Sequence, residues 1–125
     1  MVRNIIFVSP EETILNVAKL MIENVIGSIL VCESLDDTNI GIITLRDLVS
    51  RVLLECHNPC EIIARDVATK NLITISSEEP IKAAFLLMVK NKIKRLPVRN
   101  PIDNKLVGII SSYDIIAVFN TLEAQ

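Results

Sequence analysis

Two short patterns in this 125-residue chain carry side chains able to do chemistry: Thr44 with Asp47, and Ser111 with Asp114. Each is a hydroxyl followed three residues later by a carboxylate. Each sits where an aliphatic run, Gly41–Ile43 or Gly108–Ile110, gives way to residues with helical spacing. The free N–H groups and the dipole of a helix start favour an anion or a polar ligand there. An ionised carboxylate accepts two hydrogen bonds, which suits the paired hydroxyls of a sugar. The same spacing also makes a local helix cap, in which hydroxyl and carboxylate satisfy orphan N–H groups. Both roles can coexist at one site.

The other polar residues build no catalytic constellation. The chain has one His, His57, and three Gly, too few for a phosphate-binding glycine loop. Glu11, Glu12, Glu78 and Glu79 lie in acidic turns and read as charges favouring helix N-termini. Cys56, His57 and Cys60 invite a metal, but structural zinc needs four ligands at more typical spacings. They read as connector residues, with reduced thiols. No enzyme and no metal are expected.

The elements that position the two patterns follow from a duplication. Shifted by 67 positions, residues 4–53 align with 71–120 without a gap, and about 16 of the 50 pairs are identical. Glu11-Glu12 meets Glu78-Glu79, Leu20-Met21 meets Leu87-Met88, and Asp47 meets Asp114. Such self-similarity marks two copies of one structural unit. The first copy is assigned to residues 1–60 and the second to 61–125.

Each copy opens on a strand-length apolar run, I-I-F-V or L-I-T-I. Pro80 suits the first position of a helix, and the offset starts the equivalent helix near Thr13. Ile14, Val17, Ala18, Met21 and Val25 recur at helical spacing, matched by Ile81, Ala84, Phe85, Met88 and Lys92. Two aliphatic runs separated by Asp-, Asn- and Pro-rich turns then predict a hairpin. A second helix closes each copy, from Leu45 to about Leu54 and from Ser112 to about Leu122. Residues 55–68 connect the copies and include a short helix. The fold class is mixed α/β, two β-α-β-β-α repeats packed with pseudo-twofold symmetry, because about 50 residues do not usually stabilise a mixed sheet alone. Such packing creates two equivalent clefts between the copies.

Half the residues are hydrophobic and the formal charge is -2. There is no Trp, one Tyr and three Phe, so stacking on nucleic acid is not expected. The basic run Lys90–Arg95 spans a helix end, where cations are favoured. No apolar run approaches the roughly 20 residues of a membrane span, and the N-terminus lacks the features of a signal peptide. A cytoplasmic location is expected.

G-I-I-T-L-R-D-L-V (Gly41–Val49) and G-I-I-S-S-Y-D-I-I (Gly108–Ile116) resemble the signature that closes a CBS domain, G-h-h-[ST]-x-x-D-h with h aliphatic. K-R-L-P-V (Lys94–Val98) resembles the strand entry before it, and the helices N-V-A-K-L-M and A-A-F-L-L-M are similar to the family's A-x-x-x-M helix. The resemblance covers about residues 4–120. It implies a tandem pair, often called a Bateman module, that binds AMP, ADP, ATP or a related adenosyl ligand as a regulatory ligand. It also implies a homodimer and a regulated partner such as an enzyme or transporter.

The resemblance further implies that Asp47 and Asp114 hold a ribose, and that Thr44 and Ser111 contact sugar or phosphate. Basic residues at Lys94 and Arg95 reach phosphate, and Arg46 either does so or sits exposed. Copy one has Gly27 and Ser28 in place of the basic pair, so the sites are unequal. Ile6, Ile73, Ile26, Ile93, Ile42 and Ile109 are candidates for the apolar walls of an adenine slot, although such residues are more often plain core. If both Asp pairs serve only as caps, the chain is a ligand-independent dimerisation or docking module.

Overall fold

The computed structural model describes residues 5–70, 72–114 and 116–117. They form two compact units, one of Ile6–Leu72 and one that joins Ile5 to the described residues from Ile73 onward. The first contains β1 (Phe7–Val8), α1 (Ile14–Asn24), β2 (Ser28–Val31), β3 (Gly41–Thr44), α2 (Leu45–Asp47) and α3 (Ala64–Val67). The second contains β4 (Ile75–Ser76), α4 (Ile81–Asn91), β5 (Arg95–Arg99) and β6 (Leu106–Ser111).

Each unit has one three-stranded sheet, ordered β1-β2-β3 or β4-β5-β6. The first pair in each sheet is parallel because a helix supplies the crossover, and the second is antiparallel because a short loop joins it. The registers repeat with the same offset. Ser28 pairs with Thr44 as Arg95 pairs with Ser111, and Val31 pairs with Gly41 as Val98 pairs with Gly108.

The duplication extends to single hydrogen bonds. Thr13 and Pro80 are the residues just before α1 and α4, so Pro80 lies one position earlier than expected. The Thr13 hydroxyl accepts from the Asn16 N–H at 3.3 Å, whereas Pro80 has no side chain able to do so. Both helices end on a left-handed residue, Val25 (φ 52°) and Lys92 (φ 54°). The next N–H returns to the helix: Ile26 to the Met21 oxygen and Ile93 to the Met88 oxygen, each at 3.0 Å. This is a Schellman closure, whose usual apolar contact is made by Ile26 and Ile93 against the cores. The turn costs Val25 its expected burial, and it is 90% exposed.

The cores sit between each sheet and its helices. Ile14, Val17 and Met21 of α1 pack on Ile29, Val31 and Ile43. Ala84 and Met88 of α4 pack on Leu96, Val98 and Ile110. The first core is larger because Ala64, Val67 and Ala68 of the connector join it. A Cβ on Gly41 would lie 3.1 Å from both the Ala68 Cβ and the Thr69 oxygen, so a side chain here would push the connector back by a few tenths of an ångström.

The helix expected over Leu45–Leu54 is α-helical only through Asp47. Leu48–Leu53 is π-helical, with Leu54 N–H bonding the Val49 oxygen and His57 N–H the Val52 oxygen. The opening strands are shorter than expected, two residues each. In copy two, residues 112–114 and 116–117 are helical, and the expected extension to Leu122 lies outside the described residues. No helix among the described residues is long and apolar enough to cross a membrane.

Candidate functional site

The Thr44–Asp47 pattern folds as a reciprocal cap. Asp47 Oδ2 accepts from the Thr44 N–H at 2.9 Å and from the Thr44 hydroxyl at 3.0 Å. Thr44 Oγ1 accepts from the Asp47 N–H at 3.3 Å. The other carboxylate oxygen, Oδ1, lies 3.8 Å from Arg51 Nε. Arg51 Nη1 also donates to the Val67 carbonyl at the end of α3, at 2.8 Å. Both oxygens of Asp47 therefore serve the fold of the first unit.

Ser111 and Asp114 repeat the carboxylate half of the cap. Asp114 Oδ2 accepts from the Ser111 N–H at 2.7 Å and from its hydroxyl at 3.3 Å. Partial burial raises the pKa of this carboxyl. The hydrogen bonds from the Ser111 N–H and hydroxyl are among the influences that outweigh burial, leaving it below its ordinary value of 3.8. Asp114 is thus an anionic acceptor at neutral pH.

Asp114 lines a cavity of about 230 Å³ within the second unit. Ser76, Ser77 and Glu79 supply its other polar side chains, and Ile75, Val98 and Ile110 are among its apolar ones. In the first unit the connector covers the equivalent ground. Its N–H groups are bonded to the turn before α1: Ala64 to the Glu12 oxygen at 2.7 Å and Arg65 to the Pro10 oxygen at 2.9 Å. Those acceptors correspond to Glu79 and Ser77. What remains open there is a cavity of about 250 Å³ lined by Pro10, Val31, Gly41, Arg65, Ala68 and Lys70. Arg65 pairs with Glu11.

The remaining candidates are dispersed. Arg46 is exposed at the helix start. Lys94 is exposed, and its carbonyl accepts from the Ser112 N–H at 3.0 Å. Arg95 is half-buried on β5, opposite Ser111. Ile6, Ile26 and Ile93 pack against the cores. Ile42 is buried and bonds reciprocally with Thr69. Ile109 is half-buried and Ile73 is exposed. Of the ligand-binding candidates named from sequence, Asp114 alone is among the described lining residues of the second unit's cavity.

Ser76, Ser77, Glu79 and Ile110 were missed. The signal for Ile110 was strand alternation, since Leu106, Gly108 and Ile110 are buried while Val107 and Ile109 are half-exposed. Among the described residues, no three His, Cys, Asp or Glu side chains gather as a metal site requires.

The family model of the CBS domain matches residues 1–54 and 64–120. The chain belongs to the CBS-domain family. Both segments fall on the duplicated β-α-β-β units, so the chain carries a CBS-domain pair. It is 40% identical over 116 residues to an uncharacterized protein of Methanopyrus kandleri, covering 93% of this chain and 58% of that relative's length. The hexameric CBS-CP12 protein of bloom-forming cyanobacteria matches at a TM-score of 0.84 and 25% identity, over 98% of this chain and 70% of that one. The CBS domain pair of protein MJ0100, solved in complex with 5′-methylthioadenosine and S-adenosyl-L-methionine, matches at 0.76 and 24% identity, over 94% of this chain and 92% of that one.

Proposed function

We propose that this CBS-domain pair is a cytoplasmic regulatory module that binds an adenosyl ligand, such as AMP, ADP, ATP or a related compound, and passes the ligand's presence to a partner protein. The single observation that carries the reading is the placement of Asp114. Its ionised carboxylate lines a cavity with an apolar floor and two serine hydroxyls, a lining suited to a ribose beside an apolar base. The MJ0100 pair supports the architecture rather than a residue match, because it shares the fold at 24% identity.

Ligand state would reach a partner, such as an enzyme or transporter, only through a difference in affinity between two conformations of the module. A homodimer is the assembly we propose. Native mass spectrometry of freshly purified protein tests both ligand and assembly. A retained adenosyl mass on a dimeric species supports the reading. A ligand-free protein that also gives no heat with AMP, ADP, ATP, adenosine or 5′-methylthioadenosine contradicts it.

One observation favours a second reading for the first unit. With Asp47 held by Thr44 and Arg51 and the connector over the equivalent ground, that copy would act as scaffold or docking surface rather than as a ligand site. A partner complex whose affinity is unchanged by every adenosyl compound would extend this reading to the whole chain.

A further inference from the structure

We propose that the cavity of the first unit is a site for a small organic anion, its apolar body against the cavity walls and its carboxylate or phosphate head group on Lys70 and Arg65. This goes beyond the adenosyl reading and needs nothing from it. The strand register separates the cavity from the Thr44–Asp47 cap. Val31 and Gly41, which line it, pair at one end of β2 and β3, and Ser28 pairs with Thr44 at the other. The three residues between those ends span about 10 Å of strand.

The backbone positions both cations. Thr69 exchanges two hydrogen bonds with Ile42, each at 3.0 Å. Alternation along this extended bridge turns Ala68 and Lys70 to the side opposite Thr69, and both line the cavity. Arg65 is fixed twice: its N–H bonds the Pro10 oxygen at 2.9 Å, and its Nη2 donates to Glu11. A guanidinium carries five donors, so the pair with Glu11 leaves others for a ligand. Lys70 has no carboxylate partner among the described residues. Asp37, two residues before the lining Asn39, directs both oxygens to loop N–H groups, at 3.2 Å from Glu33 and 3.1 Å from Asn39.

The lining sets the ligand's class. It holds two cations and no acid, in a chain whose formal charge is -2. Pro10, Val31, Ile40 and Ala68 supply the apolar walls. An uncharged head group leaves the cations unpaired, and an inorganic anion leaves the walls bare. Charge-assisted hydrogen bonds in such a recess are stronger than in open water. The volume is about 250 Å³, which at roughly 30 Å³ per water equals about eight water-sized groups. It admits one ring or a short chain with its head group and excludes a whole adenosyl compound.

Amide NMR titrations of wild type and Lys70→Gln test the site, with benzoate, phenyl phosphate, inorganic phosphate and benzyl alcohol at one low salt concentration. Lys70 is exposed, so the variant keeps the fold. Saturable shifts at Val31, Gly41 and Ala68 are expected with benzoate or phenyl phosphate, and the tighter of the two names the head group. Benzyl alcohol and inorganic phosphate are expected to bind at least tenfold more weakly than that ligand. Lys70→Gln is expected to weaken it at least fivefold and to leave benzyl alcohol unchanged. Benzyl alcohol or inorganic phosphate binding as tightly as the organic anions overturns the proposal. So does an affinity unmoved by Lys70→Gln, or the absence of shifts at these residues with both organic anions.

Discussion

The guanidinium of Arg51 donates to the carbonyl oxygen of Val67 at 2.8 Å, tying the closing helix of the first CBS motif to the connector that follows it. The same side chain lies 3.8 Å from Asp47 Oδ1. One residue thus holds both the capping carboxylate and the end of α3. Hydrogen bonds made by charged groups contribute about 1.5–3 kcal/mol, and the half exposure of Arg51 places it at the low end. Arg51→Ala should destabilise the first unit by about 1–2 kcal/mol in urea denaturation. Adenosyl affinity of the second unit should not change.

The left-handed Val25 is a local conflict. A β-branched residue at φ 52° sits where glycine or asparagine is favoured, and the conformation costs an L-residue roughly 1–2 kcal/mol. Because the side chain is 90% exposed, replacing it loses little burial. Val25→Gly should raise the melting temperature. Lys92→Gly, at the equivalent position with an unbranched side chain, should raise it less. A fall in melting temperature with Val25→Gly would show that the valine contributes packing.

Gly41 permits the connector's close approach. In Gly41→Ala the new methyl would lie 3.1 Å from the Ala68 Cβ and the Thr69 oxygen, closer than ordinary van der Waals contact. The Thr69 carbonyl is held by the Ile42 N–H at 3.0 Å and cannot easily retreat. Overpacking of this kind costs about 1–3 kcal/mol. Hydrogen exchange should show faster opening of Thr69 and Ile42, and unchanged rates across β5 and β6.

Acid should weaken the Ser111–Asp114 cap in a defined direction. The folded carboxyl lies below its ordinary value of 3.8, so the unfolded chain takes up its proton first as pH falls. The contribution of the ionised carboxylate, of which the Ser111 hydrogen bonds are one part, is therefore complete above the ordinary value and is lost as pH drops through the lower folded value. Asp114→Asn, which cannot ionise, should remove that part of the pH dependence. It should also lower stability at neutral pH by about 0.5–2 kcal/mol, read from urea midpoints at matched pH.

Much of this was legible in the sequence, because a duplication states its own register. The offset of 67 that aligned Asp47 with Asp114 also aligns the strand pairs and the Schellman closures. What the sequence hid was how the copies differ. Asp47 and Asp114 have the same spacing to a hydroxyl, yet Arg51, itself bonded to the connector, engages one, and a cavity adjoins the other. Those contacts depend on residues 16 positions apart in the case of Arg51 and Val67, which no local pattern reveals. The cavity's polar rim was hidden for another reason: Ser76 and Glu79 read as ordinary turn and helix-start residues, and they are that as well. Ile109 was named in place of Ile110 because repeat identity covers both positions and only strand alternation tells them apart.

The most direct test of the account is the affinity of Asp114→Asn for adenosine beside that of wild type, measured calorimetrically. Asparagine keeps an oxygen for the Ser111 N–H, so the protein should remain folded, but it loses the anionic acceptor for the ribose hydroxyls. The account predicts at least tenfold weaker binding in the variant, and no such loss in Asp47→Asn. Equal affinity in Asp114→Asn and wild type, with both folded, would contradict it.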